Sequence, residues 1–329
     1  MKKNIRFLPG LLAVTLLVGA GIHFLGVLLR PVDTDSPVNA VHTFHQMPQN
    51  SLEVMAFGSS HMWLGLDPME LYESQGIGSY NYGCNWQELN TTLLFVKDAL
   101  RTQKPRVVLV DTFHVNGMKL DMNMDGEIYY TRAIPWFSGK LPYLRQCFGR
   151  NPERYLSYWM PLAAFHENWV NLSKESFRSP LNSGDDFLAT MGYSATDTVT
   201  PVTLPAQDPE MQEPLYEGPQ ALLEELLEVC RENGAQLVLC TIPWAGQNQH
   251  AQAVTTFALE QNIPYVNLFD HLEELGLDGA TDFSDSGHLN RSGAQKTACF
   301  LGAWLKEHFD LTDFREVPGN LWEVALQKD

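Results

Sequence analysis

Leu52-Glu53-Val54-Met55-Ala56-Phe57-Gly58-Ser59-Ser60-His61 is an apolar run that stops at a glycine and passes at once into two serines and a histidine. A strand that ends this way, with Asp67-Pro68 opening the next segment, holds a hydroxyl at the carboxyl edge of an α/β sheet. Ser60 is therefore the candidate nucleophile. A serine hydroxyl attacks poorly until a base removes its proton, so the reading demands a histidine oriented by a third group elsewhere in the chain. Asp285-Ser286-Gly287-His288-Leu289-Asn290 offers one near the other end. An Asp-x-x-His spacing lets the carboxylate reach one ring nitrogen of its own loop's histidine and leaves the other nitrogen for Ser60. Asp282 is a competing orienting residue, and a loop so rich in Asp and Asn also reads as helix-capping chemistry.

Outward from these blocks the chain alternates helix and strand. Pro68 to Gln75 reads as a helix and Ser79 to Gly83 as the second strand. Glu88 to Gln103 is helical, with Leu89, Leu93, Val96 and Leu100 on one face, and Pro105 closes it. Arg106 to Asp111 follows as a buried strand, and its run Val107-Val108-Leu109-Val110 suits a parallel sheet covered on both faces. The rhythm resumes with a helix over Tyr216 to Asn233, a strand over Gln236 to Thr241, a helix over His250 to Gln261, a strand over Ile263 to Leu268 and a helix ending at His308. This pattern predicts a three-layer, doubly wound, flavodoxin-like parallel sheet in an α/β domain spanning 51–310. Strands in such sheets present their carboxyl ends together, so Pro243-Trp244 should face the same cleft as Ser60.

Two stretches break the pattern. From about 117 to 219 the sequence is rich in Trp136, Phe137, Tyr143, Tyr155, Tyr158, Trp159, Phe165, Trp169 and prolines. A structureless loop of that length is foreign to a compact domain, so an insertion with its own helices is expected, for instance over Pro152 to Trp169. Its aromatic rings suit stacking on sugars, and equally suit packing onto the main domain or a membrane surface. Residues 311–329 read as a tail laid over the domain surface.

At the amino end, Lys2, Lys3 and Arg6 precede an apolar run from Phe7 to Leu29. Its length suits one bilayer crossing of about 20 residues and exceeds the roughly 7 to 15 of a signal-peptide core, so residues 1–30 are expected to form an uncleaved anchor. Arg30 stands alone after the run, which orients the amino end to the cytoplasm and the remainder outside. Residues 31–50 read as a juxtamembrane linker. His42 and His45 lie there without a nearby carboxylate or cysteine to complete a ligand set, so neither a metal nor a cofactor is expected. A formal net charge of −17 argues against nucleic acid as a partner. Cys84, Cys147, Cys230, Cys240 and Cys299 show no metal-like spacing and predict no disulfide framework; Cys230, Cys240 and Cys299 fall in apolar patterns and read as buried.

Gly58-Ser59-Ser60 with Asp285-x-x-His288 resembles the first and last blocks of the SGNH/GDSL hydrolase superfamily, over about residues 50 to 310. The resemblance is to the membrane-anchored cell-envelope branch, which includes D-alanine transfer proteins of teichoic acid and proteins of alginate O-acetylation. Ser59 stands where the superfamily often has Asp, and the D-alanine transfer branch also has two serines. The resemblance implies an SGNH-type fold with Ser60 as nucleophile, His288 as base and Asp285 as its orienting carboxylate. It also implies an oxyanion hole from the N–H groups of Ser60 and Gly83, because Gly83-Cys84-Asn85 occupies the place of the second block. A strand-to-helix turn that simply needs glycine is the other reading of Gly83. The third block, which often supplies an asparagine side chain, is not matched by Asp111-Thr112-Phe113-His114, and Asn85, Asn116 and His114 are the candidate substitutes. The implied activity is an extracytoplasmic serine esterase or O-acyltransferase on acyl, acetyl-like esters of a wall or surface glycan, partnered by a polytopic membrane acyltransferase. Two other classes stay open: a non-catalytic glycan-binding accessory protein, and a lipase or thioesterase with an apolar acyl channel beside Ser60.

Overall fold

In the computed structural model, which describes residues 8–29, 35–118, 127–178 and 188–327, the helix-strand rhythm resolves into one five-stranded parallel sheet. The chain enters through α1 (Leu8–Leu28) and α2 (Asp35–Gln46), then forms β1 (Val54–Phe57), α3 (Ser60–Gly65), α4 (Pro68–Gln75), β2 (Ser79–Asn81), α5 (Leu89–Ala99) and β3 (Val107–Asp111). The insertion contributes α6 (Glu127–Ala133), α7 (Lys140–Phe148), α8 (Pro152–Trp159), α9 (Pro161–Phe165) and α10 (Lys174–Arg178). Alternation returns with α11 (Glu217–Glu232), β4 (Gln236–Thr241), α12 (Ala251–Gln261), β5 (Tyr265–Asn267), α13 (Leu272–Leu275), α14 (Arg291–His308) and α15 (Leu321–Leu326). Strand order is β2-β1-β3-β4-β5 with every pair parallel, the doubly wound flavodoxin-like arrangement whose switch point lies between β1 and β3.

Side chains on a strand alternate between faces, and both faces here are covered. β1 sends Met55 and Phe57 into one core and Val54 and Ala56 into the other; β3 divides Val108 and Val110 from Val107 and Leu109 in the same way. The first core is closed by Leu93 of α5, Leu223 and Leu226 of α11, and Phe257 of α12. The second is closed by Leu71 of α4 and by Leu301 and Leu305 of α14. Burial on both sides is why these strands read as unbroken apolar runs. α1 is apolar enough to cross a membrane, with a mean hydropathy of 2.3 over Pro9–Leu28. Lys2, Lys3, Arg6 and Arg30, on which the expected orientation rests, lie outside the described residues, as do residues 119–126 and 179–187 of the insertion.

Four expectations need correction. Residues 35–46 are a helix seated in the core, not linker: Val41 and Phe44 are buried, and Phe44 stacks on Tyr82 with ring centroids 4.4 Å apart. Tyr80 Oη donates to the Ala40 carbonyl at 2.6 Å, and His45 Nε2 lies 2.9 Å from Asp98 Oδ2, so His45 serves a buried carboxylate. The polar residues between 33 and 37 obscured the apolar spacing of 38, 41 and 44. The expected helix over Pro152 to Trp169 is broken into α8, α9 and a 3-10 turn over His166–Asn171, because Pro161 has no N–H and must open a new helix. The carboxyl tail is integral: Trp322 is 1% exposed and its Nε1 donates to the Ser79 carbonyl of edge strand β2 at 3.1 Å. Cys299 is exposed, its Sγ donating to Glu70 Oε1 at 3.1 Å.

Candidate active site

β1 delivers the candidate nucleophile through a turn that only glycine fits. Gly58 takes φ +151°, and a Cβ there would stand 2.8 Å from the Asp111 Cβ and 3.0 Å from the Met62 Cβ. Ser59 then caps α3, its Oγ accepting from the His61 N–H at 3.4 Å, and Ser60 is the first residue of that helix. The Ser60 N–H thus belongs to the helix-end groups that have no intrahelical acceptor. At the far end of the chain, a bridge between Phe283 and Leu289 and a bond from the Ser284 N–H to the His288 carbonyl at 2.9 Å fold the second block into a tight loop.

The two blocks meet at the carboxyl edge of the sheet. Ser60 Oγ is 2.7 Å from His288 Nε2, and His288 Nδ1 is 3.0 Å from each carboxylate oxygen of Asp285. Asp285 Oδ1 also accepts from the Gly287 N–H at 2.7 Å and the His288 N–H at 3.0 Å. Burial pushes the Asp285 carboxyl up, but the bonds from the His288 ring and the Gly287 N–H outweigh it and hold the group below the usual carboxylate range. A carboxylate on Nδ1 keeps the ring proton there and leaves the Nε2 lone pair to the hydroxyl. The site opens to solvent, with the Asp285 side chain 58% and the His288 side chain 26% exposed.

Asp282, the competing orienting residue, does different work. Its side chain is fully buried beneath the loop and accepts from Lys296 Nζ at 2.6 Å, Ser292 Oγ at 2.8 Å and the Asp278 N–H at 2.7 Å. It ties the loop to α14, which Asn290 caps by accepting from the Gly293 N–H at 3.2 Å.

The expected oxyanion donors are only partly assembled. Gly83 lies tight against the turn, since a Cβ there would stand 3.1 Å from both the Gly58 carbonyl oxygen and the Trp63 nitrogen. Its N–H, however, donates to Asn81 Oδ1 at 3.0 Å and so already has an acceptor. Asn85 is exposed and its carbonyl accepts from Tyr130 Oη at 3.0 Å; among the described residues no hydrogen bond joins its side chain to Ser60 or His288. Asn116 is a tether, donating to the Pro214 carbonyl at 2.9 Å and accepting from the Tyr216 N–H at 2.9 Å. His114 stacks beside Trp86, ring centroids 5.7 Å apart.

Four residues that the sequence did not single out shape the site. Asn81 is fully buried and its Nδ2 donates to the Met62 and Leu66 carbonyls of the α3 segment, both at 2.8 Å. Gln87 accepts from the Gly58 N–H at 2.9 Å and donates to the Tyr82 carbonyl at 2.9 Å, pinning the turn before Ser60. Asp111, at the end of β3, accepts from the Ile242 N–H at 3.1 Å and the Phe113 N–H at 3.3 Å, and burial raises it to about 7. His61 lies 5.1 Å from the His288 ring and packs edge-on to Trp244 at 5.6 Å, which brings Trp244 to the cleft as expected. Burial, with the nearby His288 and His114, lowers His61 to about 2, so it stays neutral beside the catalytic candidate. Only the Gly58-Ser59-Ser60 turn itself hinted at such supports, because their partners lie far off in sequence.

The fold and site define a doubly wound α/β protein with a hydroxyl, an imidazole and a carboxylate hydrogen-bonded in series at the switch-point edge. No family model matches the chain, and no curated protein matches it in sequence. Among solved structures, that of a Bacteroides fragilis protein provisionally assigned as an acylhydrolase is similar to it, with a TM-score of 0.39 and 9% identity, covering 82% of this chain and 94% of that one. Similarity at that level carries no weight for chemistry, which rests on the Ser60, His288 and Asp285 geometry.

Proposed function

We propose that this chain is a membrane-anchored, extracytoplasmic serine esterase or O-acyltransferase of SGNH/GDSL type, acting on acyl esters of a cell-envelope glycan. The observation that carries the reading is the 2.7 Å contact between Ser60 Oγ and His288 Nε2, with Asp285 on the opposite ring nitrogen. In the mechanism, Ser60 Oγ attacks an ester carbonyl as His288 Nε2 takes its proton, and Asp285 stabilises the imidazolium that forms. The Ser60 N–H supports the oxyanion, and the Gly83 N–H joins it by sharing its bond to Asn81. Collapse breaks the ester C–O bond, His288 protonates the departing alkoxide, and the acyl group stays on Ser60. Water or a glycan hydroxyl then attacks the acyl-serine with His288 again as base, giving hydrolysis or transfer. The apolar α1, with Lys2, Lys3 and Arg6 before it, supports the anchor and the outside location. A polytopic membrane acyltransferase as acyl donor follows from the resemblance alone.

A fluorophosphonate probe tests the reading directly. Labelling located at Ser60 by mass, lost in Ser60→Ala together with release of p-nitrophenol from its acetyl ester, is the expected result. An unlabelled Ser60 would leave a glycan-binding accessory protein, and a preference for long acyl chains would replace the glycan substrate with a lipid.

A further inference from the structure

We infer that the aromatic insertion is a seat on the bilayer, holding the α/β domain against the lipid interface next to the point where α1 leaves the membrane. The inference rests on the proposed membrane span of α1. At a rise of about 1.5 Å per residue, the 21 residues of α1 are about 31 Å long, the thickness of a hydrocarbon core of roughly 30 Å. The last turn of α1 must therefore lie at the far boundary of the bilayer. That turn is where the insertion docks. A Cβ on Gly26 would stand 2.6 Å from the Pro161 Cβ, so α1 and α9 approach at backbone distance. Leu29 packs with Phe165, and Asn168 Nδ2 donates to the Leu29 carbonyl at 2.8 Å. α9 and the turn that follows it are thereby fixed at headgroup depth.

The surface flanking this contact is what an interface requires. Trp136, Leu156, Trp159, Met160, Trp169 and Val170 are all exposed, Trp169 by 66%, and Trp136 and Trp159 stack edge-on with centroids 5.3 Å apart. Soluble surfaces seldom gather so many large apolar groups, whereas tryptophans concentrate at the membrane boundary, where ring and N–H meet different media. Charge agrees. In a chain of net charge −17, residues 127–178 hold seven Lys or Arg against four Asp or Glu; Lys140 is buried and donates to the Ile134 carbonyl, and the other six still leave a local excess suited to anionic headgroups. Seating also positions the site. Ala40 of α2, the helix that follows the span, packs against Trp63 of α3, the helix that begins with Ser60. The hydroxyl thus works close to the membrane surface.

α1 contains no tryptophan, so quenching by lipid reports on the domain alone. The full chain is reconstituted in phosphatidylcholine and phosphatidylglycerol vesicles brominated near the glycerol end of the acyl chains, and insertion is checked by flotation in alkaline carbonate. The seat predicts loss of roughly a third of the emission, because three of the eight tryptophans lie on the patch. It also predicts that the quenching disappears in W136F/W159F/W169F, a variant checked for an unchanged thermal unfolding midpoint. Flotation without quenching overturns the seat and assigns the patch to a protein partner. Quenching that persists in the triple variant overturns it in favour of another face. A chain that fails to float overturns the anchor and the seat with it, whereas the chemistry of Ser60 is read separately by the fluorophosphonate.

Discussion

His61 lies face to face with Phe113, ring centroids 3.5 Å apart and planes 21° from parallel. Burial is the main reason its ring stays neutral to about pH 2, and this has a consequence for stability with a definite sign. The folded pKa lies below the unfolded value of about 6.5, so the unfolded chain gains a proton first as pH falls. The stabilisation is complete above about 6.5 and declines below it by up to about 1.4 kcal/mol per pH unit. His61→Phe keeps the stack and removes the titration. Urea midpoints at pH 7.5 and 5 should show the wild type losing up to about 2 kcal/mol more than H61F; parallel losses would refute the burial argument.

Asp285 and Asp282 lie three residues apart and should fail differently. Asp285→Ala removes the acceptor on His288 Nδ1, so kcat on an acetyl ester should fall by about 10²- to 10⁴-fold with little change in melting temperature. Asp282→Ala leaves Lys296 without its carboxylate beneath the loop. Lys296 is about one-third exposed, so the loss should be roughly 1–3 kcal/mol, with kcat per folded molecule kept. Calorimetry and turnover on both variants separate the roles.

Asn81 makes three buried hydrogen bonds, to the Gly83 N–H and to the Met62 and Leu66 carbonyls. Asn81→Ala should cost about 2–4 kcal/mol, since it leaves buried groups unpaired. It should also raise mobility of the Ser60 helix, visible as faster amide exchange over residues 60–66. Unchanged exchange there would show that α3 is held by packing alone.

Phe44 distinguishes a core helix from a linker. It is 1% exposed and stacked on Tyr82, so Phe44→Ala should destabilise the domain by about 3–5 kcal/mol in denaturant titration. A linker side chain would change stability by less than about 0.5 kcal/mol.

Ser60 and His288 act as one unit in the proposed reaction. Ser60→Ala and His288→Ala should each abolish most of the rate above water, and the double variant should be no worse than either single one. Additive losses would place the two residues in separate roles.

Much of what depends on the nearest few residues was legible in the chain, α2 and the break at Pro161 apart. Val54 to Phe57 and Val107 to Asp111 read as strands because short continuous apolar runs suit a sheet covered on both faces, and the helix over Glu217–Glu232 follows from the spacing of its leucines and the stop near Gly234. The Asp285 to His288 contact was legible for the same reason, because only Ser286 and Gly287 separate the two. Tertiary structure decided what crosses the chain. It brought Ser60 to His288 over 228 residues, set Asn81 rather than a free N–H opposite Gly83, drew α2 and Trp322 into the core, and laid Pro161 against Gly26. Periodicity records which face of an element is apolar. It does not record which carbonyl or ring the completed fold will bring within 3 or 4 Å of that face, because that depends on how all the layers pack at once.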